Sequence, residues 1–490
     1  MDESLKAEIV SGAFWNSIAT VIETLTSLGT IAFLARLLDP KDFGVVAVAA
    51  IAIGFFSNFS DIGFEAAIIQ RQKDIDEAAS TGFFIVIGLC LTNYILLFLF
   101  SKQIASFYGD PIIESIVKVL AAGLVIGSFT RMHNFLLSKE MQFRKKALCE
   151  IVPSLIYSSC SIPLAFYGFG VWSIVYGEVA KYVCRAFLLL YVTPWRPMFK
   201  FDLKIAKELV GYGKHAMFNN VFKFGSGNMD NALIGKFMGL TNLSFYKMSY
   251  NGAAMASGVL YNIIGRVTIP AFSKAQGERS ALRKLYCDVL EYSSYLFVPA
   301  FVGLFLLANE FVLLLYGPKW QSAIPMFRAL LLFGVARVIG MFSENVFLAA
   351  GNPSVLPKIT LLKIGIVLGL IFSVLHLGLL AFCVSISILE VALVLLQFLL
   401  LRRHYGIGMV SNLNCLRASF LMSFVMAIGI VISGNWIVVH FCNSIFYSAG
   451  VKIAIGVVIY LFLLRIFRKK IIFQLANVKF RKVYENLVRG

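Results

Sequence analysis

Residues 82–100 read Gly-Phe-Phe-Ile-Val-Ile-Gly-Leu-Cys-Leu-Thr-Asn-Tyr-Ile-Leu-Leu-Phe-Leu-Phe, a run of 19 residues without a charge. An α-helix needs about 20 predominantly apolar residues to cross a hydrocarbon core of about 30 Å. Comparable runs recur almost end to end along the 490 residues, of which 59% are hydrophobic and 14% are charged. Soluble domains carry about 25% charged residues. The sequence therefore predicts an all-α polytopic membrane protein.

Apolar runs of sufficient length predict about fourteen membrane-spanning helices. They are expected near residues 13–36, 43–64, 80–101, 114–138, 150–167, 170–192, 216–238, 245–267, 292–315, 324–350, 359–377, 379–401, 416–434 and 449–467. Residues 193–213 are basic and modestly amphipathic. We expect this stretch to join the two halves of the chain, and favour that role over lying on the anionic inner leaflet.

The basic residues alternate between the two sides that this helix count defines. With the N-terminus inside, cytoplasmic loops and span ends hold 28 Lys and Arg, and the opposite side holds 9. Cytoplasmic loops of membrane proteins are enriched in these residues. The net charge of +18 is thus explained by topology, and nucleic acid is not an expected partner. Both termini are expected to be cytoplasmic, without a cleavable signal peptide.

An internal repeat relates the two halves of the chain. Four short matches occur in the same order, at shifts of 200, 208, 212 and 212 residues. They pair 32–36 with 232–236, 107–109 with 315–317, 135–136 with 347–348, and 178–180 with 390–392. Two six-helix lobes in the same orientation follow, and transporters with parallel repeats bind substrate between such lobes.

The repeat divides the chain into five predicted parts. They are an N-lobe (1–192), a cytoplasmic linker (193–215), a C-lobe (216–401), two extra helices (402–467) and a basic cytoplasmic tail (468–490).

Several short stretches carry a family resemblance. They are Ser-Gly-Ala-Phe-Trp-Asn at 11–16, Leu-Ala-Arg-Leu-Leu-Asp-Pro at 34–40, Phe-Gly at 43–44, Ser-Asp-Ile-Gly at 60–63, Ile-Ile-Gln-Arg at 68–71, Tyr-Gly-Pro-Lys-Trp at 316–320 and Ala-Ala-Gly-Asn-Pro at 349–353. Over about residues 5–400 the chain resembles the Wzx-type polysaccharide flippases, particularly the branch for colanic-acid-like and other exopolysaccharide repeat units. That family belongs to the superfamily of multidrug, oligosaccharidyl-lipid and polysaccharide exporters, which includes the lipid II flippase.

The resemblance implies a fold, a substrate and a location. It implies two lobes around a central cavity in the bacterial inner membrane, and an undecaprenyl-diphosphate-linked glycan as substrate. It also implies secondary transport or membrane-potential drive rather than use of ATP. The predicted mechanism is alternating access, and no cofactor is expected other than a coupling H⁺ or Na⁺. Membrane lipids, and polysaccharide polymerase or export machinery, are the other expected partners.

Charged residues inside membrane spans are the candidate site residues, because each needs a partner or water. Glu23, Arg131, Lys223, Asp230 and Arg337 are predicted to face the substrate cavity. The cations would hold a diphosphate or acidic sugar. The carboxylates would bind a coupling ion or balance the cations. The alternative is that these residues form ion pairs within one lobe and only order its helices.

A second group is a predicted inner gate. Asp61 and Glu65 lie one turn apart at the cytoplasmic end of the second span, and Arg266 lies at the same end of its repeat mate. Pairing of Asp61 with Arg266 would close the gate. A local ion pair is the alternative.

Other chemistry-bearing residues receive structural interpretations. Glu178, Lys181 and Arg185 form a stripe at i, i+3 and i+7, which is typical of a self-satisfied pair near the interface. His133 is expected to be structural. The chain contains no Walker-type phosphate loop and no metal-ligand pattern, so no catalytic or metal residue is predicted.

Three alternative functions share parts of this pattern. A membrane polymerase would be expected to carry a large outer loop rich in Arg and His, whereas the outer loops here are short. A multidrug extruder for cationic drugs would favour a cavity of carboxylates and aromatics. A lipid II flippase is barely separated from the favoured function by residue types alone.

Overall fold

The computed structural model describes residues 3–60, 64, 68, 71, 74–440 and 445–467. The first half contains α1 (Glu3–Leu37), α2 (Pro40–Ser60), α3 (Ile75–Tyr108), α4 (Ile112–Lys139), α5 (Phe143–Phe166), α6 (Val171–Val192), α7 (Leu203–Met238) and α8 (Leu240–Ala275). The second half contains α9 (Arg279–Leu306), α10 (Ala308–Leu315), α11 (Ile324–Ala349), α12 (Val355–Val374), α13 (Leu379–Tyr405), α14 (Met409–His440) and α15 (Ile445–Phe467), with 3-10 turns at Pro318–Ala323 and Leu375–Leu377.

Long apolar helices confirm the predicted fold class. Eleven helices in the described part of the chain are long and apolar enough to cross a membrane. Three further helices, α6, α7 and α8, are also long but fall outside that group. All three carry charged residues within their length. The chain is a multi-pass membrane protein, and the count of fourteen spans stays a prediction.

Two predicted segments differ in detail from the helices observed. The span expected at 292–315 is divided at Leu307, where α9 ends and α10 begins. Helix α7 begins at Leu203, inside the stretch predicted as a linker. The Asp202 carboxylate accepts hydrogen bonds from the backbone N–H groups of Ile205 (3.1 Å) and Lys204 (2.7 Å). These bonds lower the pKa of Asp202 and cap the N-terminus of α7. A hydropathy average does not detect such a capping residue.

Two compact units make up the chain. The first contains Met1–Phe245 and Tyr316–Lys319, and the second contains Tyr246–Leu315 and Trp320–Gly490. The predicted lobe boundaries stay a prediction. In the first unit, Phe83 of α3, Met132 of α4 and Ile205 of α7 belong to one buried apolar cluster. The start of α7 is therefore part of the first unit's core.

Two stretches that carry the family resemblance meet within the first unit. The Lys319 ammonium lies 2.8 Å from a carboxylate oxygen of Asp39 and 3.3 Å from the carbonyl oxygen of Leu37. Gly317 has a backbone φ of 91°, a conformation that residues other than glycine rarely adopt. Its Cα faces the side chain of Arg36. The stretches 34–40 and 316–320 are thus adjacent in space although they are far apart in sequence.

A chain of four charges connects three helices of the second unit. Glu390 of α13 lies 2.6 Å from the Lys363 ammonium of α12 and 3.6 Å from the Arg337 guanidinium of α11. Arg337 also contacts Glu344 at 3.2 Å. The Glu390 side chain is only 6% exposed. Two cations and two carboxylates balance one another, which is how charge is tolerated inside a membrane.

The Glu390→Ala substitution tests this network. It leaves Lys363 without its carboxylate and Arg337 with only Glu344, and we expect a loss of about 3 kcal/mol in stability. Thermal unfolding in one detergent measures the effect. Glu114→Ala is the matched control, since it breaks the Lys118–Glu114 pair one helical turn apart, where both side chains are about one-third exposed. Equal shifts in both variants would contradict the assignment of a structural network.

The Gly44→Ala substitution tests close helix packing in the first unit. A Cβ atom at Gly44 would overlap the backbone carbonyl of Leu240, which cannot move independently of α8. We expect a loss of about 1–3 kcal/mol, measured by thermal unfolding. Gly88→Ala in α3 is the control, because its Cβ would meet no atom within 4 Å. If the two variants unfold at the same temperature, α2 and α8 are not packed as closely as described.

Candidate functional site

A polar cavity lies inside the first unit, between α2, α4 and α6. Its volume is about 640 Å³. Four charged side chains line it, and they are Arg131 from α4 together with Glu178, Lys181 and Arg185 from α6. Three cations against one carboxylate give its wall a net positive charge. Ser57 of α2 contributes a hydroxyl group to the same wall.

Small residues shape the cavity. Gly123 of α4 lets the Tyr182 ring lie directly against the helix, because a Cβ atom there would overlap the ring. Gly127, one turn further along α4, meets no atom within 4 Å of where its Cβ would lie. Both glycines and Tyr182 line the cavity. The stretch of α4 that carries Arg131 therefore leaves open volume beside the charged face of α6.

Arg131 is held by a neutral partner. Its guanidinium donates to the Ser57 hydroxyl oxygen at 3.2 Å. In the described part of the chain it makes no ion pair within 4 Å. A neutral hydroxyl positions the guanidinium without cancelling its charge. Most of its five N–H donors remain available for an anionic ligand.

The stripe on α6 forms the opposite wall. Lys181 lies 3.5 Å from Glu178 and 5.6 Å from the centre of the Tyr157 ring. The predicted pairing within the stripe is thus present, although it is long for a strong ion pair. Arg185 makes no ion pair within 4 Å among the described residues. Sequence analysis predicted a structural role for these residues, because neither hydropathy nor spacing indicates that they line a cavity wall.

Glu23 of α1 belongs to the electrostatic surroundings of this wall. Its carboxylate is partly buried and interacts with the charges of Glu150, Arg185 and Lys181. The two carboxylates lie near the two cations of α6. Of the five predicted cavity residues, Arg131 lines the cavity of the first unit, whereas Glu23 interacts electrostatically with its cations but is not one of the residues that line it.

The other three predicted cavity residues lie elsewhere. Lys223 on α7 is exposed. Asp230, also on α7, accepts hydrogen bonds from the backbone N–H (2.8 Å) and the side-chain amide (3.1 Å) of Asn231. Arg337 is engaged by Glu344 and Glu390 in the second unit. Roles for these residues in substrate binding stay predictions.

The predicted gate falls outside what can be described. Asp61 and Glu65 lie outside the described residues. Arg266 lies in α8, but its side chain is likewise outside the described part. Pairing across the gate therefore stays a prediction.

A second cavity, of about 870 Å³, lies inside the second unit between α9, α14 and α15. Its lining is almost entirely apolar, with residues such as Leu296, Met426 and Val457. Lys452 is the one charged residue that lines it among the described side chains, and its ammonium pairs with Glu310. The cavity suits an apolar chain and offers one charged end.

The groups in these cavities are suited to binding. No cluster of three or more His, Cys, Asp or Glu residues that could hold a metal occurs among the described residues. His133 is buried and packs edge-on against Trp195, with ring centres 5.1 Å apart, so its position is that of a core residue. The polar cavity thus offers mainly cationic and other polar side chains, and the apolar cavity offers a lining of hydrocarbon side chains.

Comparisons with known proteins agree with a transport-type membrane fold. The chain is 26% identical to the lipopolysaccharide biosynthesis protein WzxC of Escherichia coli K12, over 74% of each chain. It is 25% identical to the teichuronic acid biosynthesis protein TuaB of Bacillus subtilis 168, over 94% of this chain and 96% of TuaB.

The fold is also similar to a solved structure, that of the lipid II flippase MurJ in an inward closed conformation. The TM-score is 0.71 at 16% identity, with 93% of this chain and 99% of the other covered. A likeness at this identity concerns the fold alone. A family model described as polysaccharide biosynthesis protein matches residues 33–325, which is more than half of the sequence. The chain therefore belongs to the polysaccharide biosynthesis protein family.

Proposed function

We propose that this protein is a flippase for undecaprenyl-diphosphate-linked oligosaccharide repeat units. It moves them across the bacterial inner membrane by alternating access, as a secondary transporter and not as an enzyme, for exopolysaccharide or lipopolysaccharide biosynthesis. Both termini face the cytoplasm in this proposal. Relatives named for lipopolysaccharide and teichuronic acid biosynthesis, in the same family, support the substrate class.

The observation that carries the proposal is the excess of cations over carboxylates among the side chains that line the first unit's cavity. Cations inside a membrane protein are costly unless a partner compensates them. In the second unit, Arg337 and Lys363 are matched by two carboxylates. In the cavity of the first unit, Arg131 and Arg185 form no ion pair within 4 Å among the described residues, and the Glu23 carboxylate acts on Arg185 only from outside the cavity lining. A ligand that supplies negative charge would complete this cavity.

A diphosphate is the group that best fits the wall. Guanidinium groups bind phosphate oxygens through two parallel hydrogen bonds. Arg131 and Arg185 approach the cavity from different helices, and Lys181 adds a third cation. Tyr182 and Asn134 provide aromatic and amide surfaces of the kind that sugars use. The volume of about 640 Å³ lies within the usual range for ligand sites.

The apolar cavity of the second unit supports a lipid-linked substrate. Its walls offer apolar side chains to a hydrocarbon such as a polyprenyl tail. Because an apolar ligand gains little by leaving lipid, this cavity guides the chain and adds little affinity. The sugar-phosphate part of the substrate, which cannot cross hydrocarbon unaided, is where protein groups are needed.

We further propose that Glu23 carries the coupling H⁺ or Na⁺. It lies near Lys181 and Arg185, so a positive ion bound at Glu23 and an anion bound at these cations would influence one another. Such linkage is reciprocal and provides a coupling free energy between the two sites.

A double substitution, Arg131→Ala with Arg185→Ala, tests the binding site. In a strain lacking the chromosomal gene, we expect surface polysaccharide to fall about tenfold or more, because charge-assisted hydrogen bonds to the diphosphate are lost. Complete lipid-linked repeat units should accumulate on the cytoplasmic face, as measured by mass spectrometry of extracted lipids.

Lys118→Ala is the matched control for this experiment. It removes a cation from the same helix as Arg131, but Lys118 pairs with Glu114 away from the cavity. Normal export by the double variant, at wild-type protein level, would refute the proposed site. Accumulation of lipid II in place of repeat units would assign the protein to peptidoglycan synthesis.

The Glu23→Gln substitution tests coupling. In proteoliposomes, transport should respond to an imposed H⁺ or Na⁺ gradient in the wild type, and the variant should lose this response because it cannot bind the ion as a carboxylate. Glu114→Gln is the control, since that carboxylate lies on α4 and is paired with Lys118. A full gradient response in the Glu23 variant would exclude this residue as the coupling site.

A further inference from the structure

The chain between α6 and α7 has an unusual surface. Residues 195–207, here called the connecting segment, contain four cations and one acid. The cations are Arg196, Lys200, Lys204 and Lys207, and the acid is Asp202. The segment also exposes large apolar side chains. Phe199 is 98% exposed, Leu203 70% and Phe201 53%. Water-exposed apolar groups beside several cations indicate an interaction surface.

The connecting segment is held firmly against α3. The backbone N–H of Met198 donates to the Ser80 hydroxyl at 3.0 Å, and that of Asp202 donates to the Thr81 hydroxyl at 3.3 Å. The Trp195 ring packs edge-on against Phe83, with ring centres 6.0 Å apart. These contacts fix the exposed side chains in place, so the surface is built before any partner binds.

The same contacts place the connecting segment beside the first turns of α3, a helix able to span a membrane. Ser80 and Phe83 lie within the first three turns of α3, which begins at Ile75 and is one of the apolar helices able to span a membrane. The Phe199 ring lies 6.1 Å from that of Phe84, on the same helix. Phe199 therefore lies beside an aromatic ring of α3, near the N-terminal end of that helix.

Three of the four cations form no ion pair within 4 Å in the part of the chain that the structure describes. Arg196 donates to the backbone carbonyl oxygens of Thr193, Trp195 and Leu190, which hold the guanidinium without neutralising it. Lys204 and Lys207 are exposed and form no ion pair in the part of the chain that the structure describes.

The acids nearby do not cancel this charge. The Asp202 carboxylate binds the first N–H groups of its own helix. Lys200 is paired with Glu77 at 3.1 Å, and Glu208 is paired with Arg71 at 3.1 Å. The exposed face of the segment thus presents positive charge and apolar side chains together.

We propose that the connecting segment is a docking surface for anionic phospholipids. The rings of Phe199 and Phe201, with Leu203, enter the boundary between headgroups and acyl chains. Arg196, Lys204 and Lys207 contact the phosphate groups of the same lipids. Lysine side chains can place an apolar stem in the interface and an ammonium group among the headgroups. Charge complementarity with anionic headgroups, and contact of the segment with an apolar helix long enough to span a membrane, favour a lipid over a protein partner.

This surface gives α7 a fixed lipid contact at its first turn. Leu203, Lys204 and Lys207 lie on the exposed side of that turn, whereas Ile205, Ala206 and Leu209 are buried. The amphipathic start of the helix thus divides lipid headgroups from the protein core. The inference stands whether or not the protein is a flippase, because it concerns only this surface.

Quenching by brominated lipids tests the proposal on the full-length protein. The Phe199→Trp variant is placed in nanodiscs of equal parts phosphatidylglycerol and phosphatidylcholine, with bromine on only one of the two lipids. The emission of the unsubstituted protein in the same bilayers is subtracted. We expect quenching by both lipids and a preference for phosphatidylglycerol of about threefold or more, which 1 M salt reduces. Leu203→Trp serves as a second reporter position.

Charge-neutralising variants separate specific docking from simple burial in lipid. Adding Lys204→Gln and Lys207→Gln to the reporter variant should bring the preference close to one. Adding Lys274→Gln and Arg279→Gln, which remove two exposed cations at the ends of α8 and α9, should leave it unchanged. The absence of quenching by either lipid would overturn the proposal, since it would place the segment in water or against a protein. A preference that survives loss of Lys204 and Lys207 would overturn the assigned lipid contacts.

Discussion

Charge inside a hydrocarbon solvent must be compensated, and this constraint organises the protein. The second unit meets it internally, because Glu390 lies between Lys363 and Arg337 and joins three helices through one buried carboxylate. The first unit meets it only in part. Its cavity places Arg131 against a hydroxyl group and leaves the charge of Arg185 without a paired carboxylate in the described residues. The same physical rule thus gives a structural network in one unit and a site for an anion in the other.

The fold class could be predicted from the sequence because membrane spanning is a matter of length and apolarity. Runs such as 82–100 contain that information directly, and each predicted span corresponds to helical structure. Details set by single side chains could not be obtained in this way. The capped start of α7 depends on local hydrogen bonds to Asp202, which do not change the average hydropathy of a window, and the break at Leu307 lies within an apolar run.

The site was less accessible to sequence reasoning, and Arg131 and Arg337 explain why. Both are arginines inside predicted spans, and sequence analysis predicted the same role for both. Their surroundings differ, since Arg337 has two carboxylate neighbours and Arg131 has a serine. Ser57 and Glu390 lie on other helices than the arginines they contact, so spacing along one helix cannot reveal these two partners. Conversely, Lys181 and Glu178 are neighbours on one helical turn, and this spacing favoured a structural role in the sequence analysis. The structure shows that both residues also line the cavity.

Compensation of charge also connects the cavity with the connecting segment. In the cavity, the missing negative charge is expected from a diphosphate that enters and leaves. At Lys204 and Lys207 it is expected from lipid headgroups that surround the protein at all times. A transported ligand must be released, so its site cannot provide more than moderate net affinity. Glu178, which lies 3.5 Å from Lys181, offsets part of the cationic charge in the cavity and is consistent with this requirement. A lipid-docking surface has no such requirement, which is consistent with the lack of paired carboxylates at Lys204 and Lys207 among the described residues.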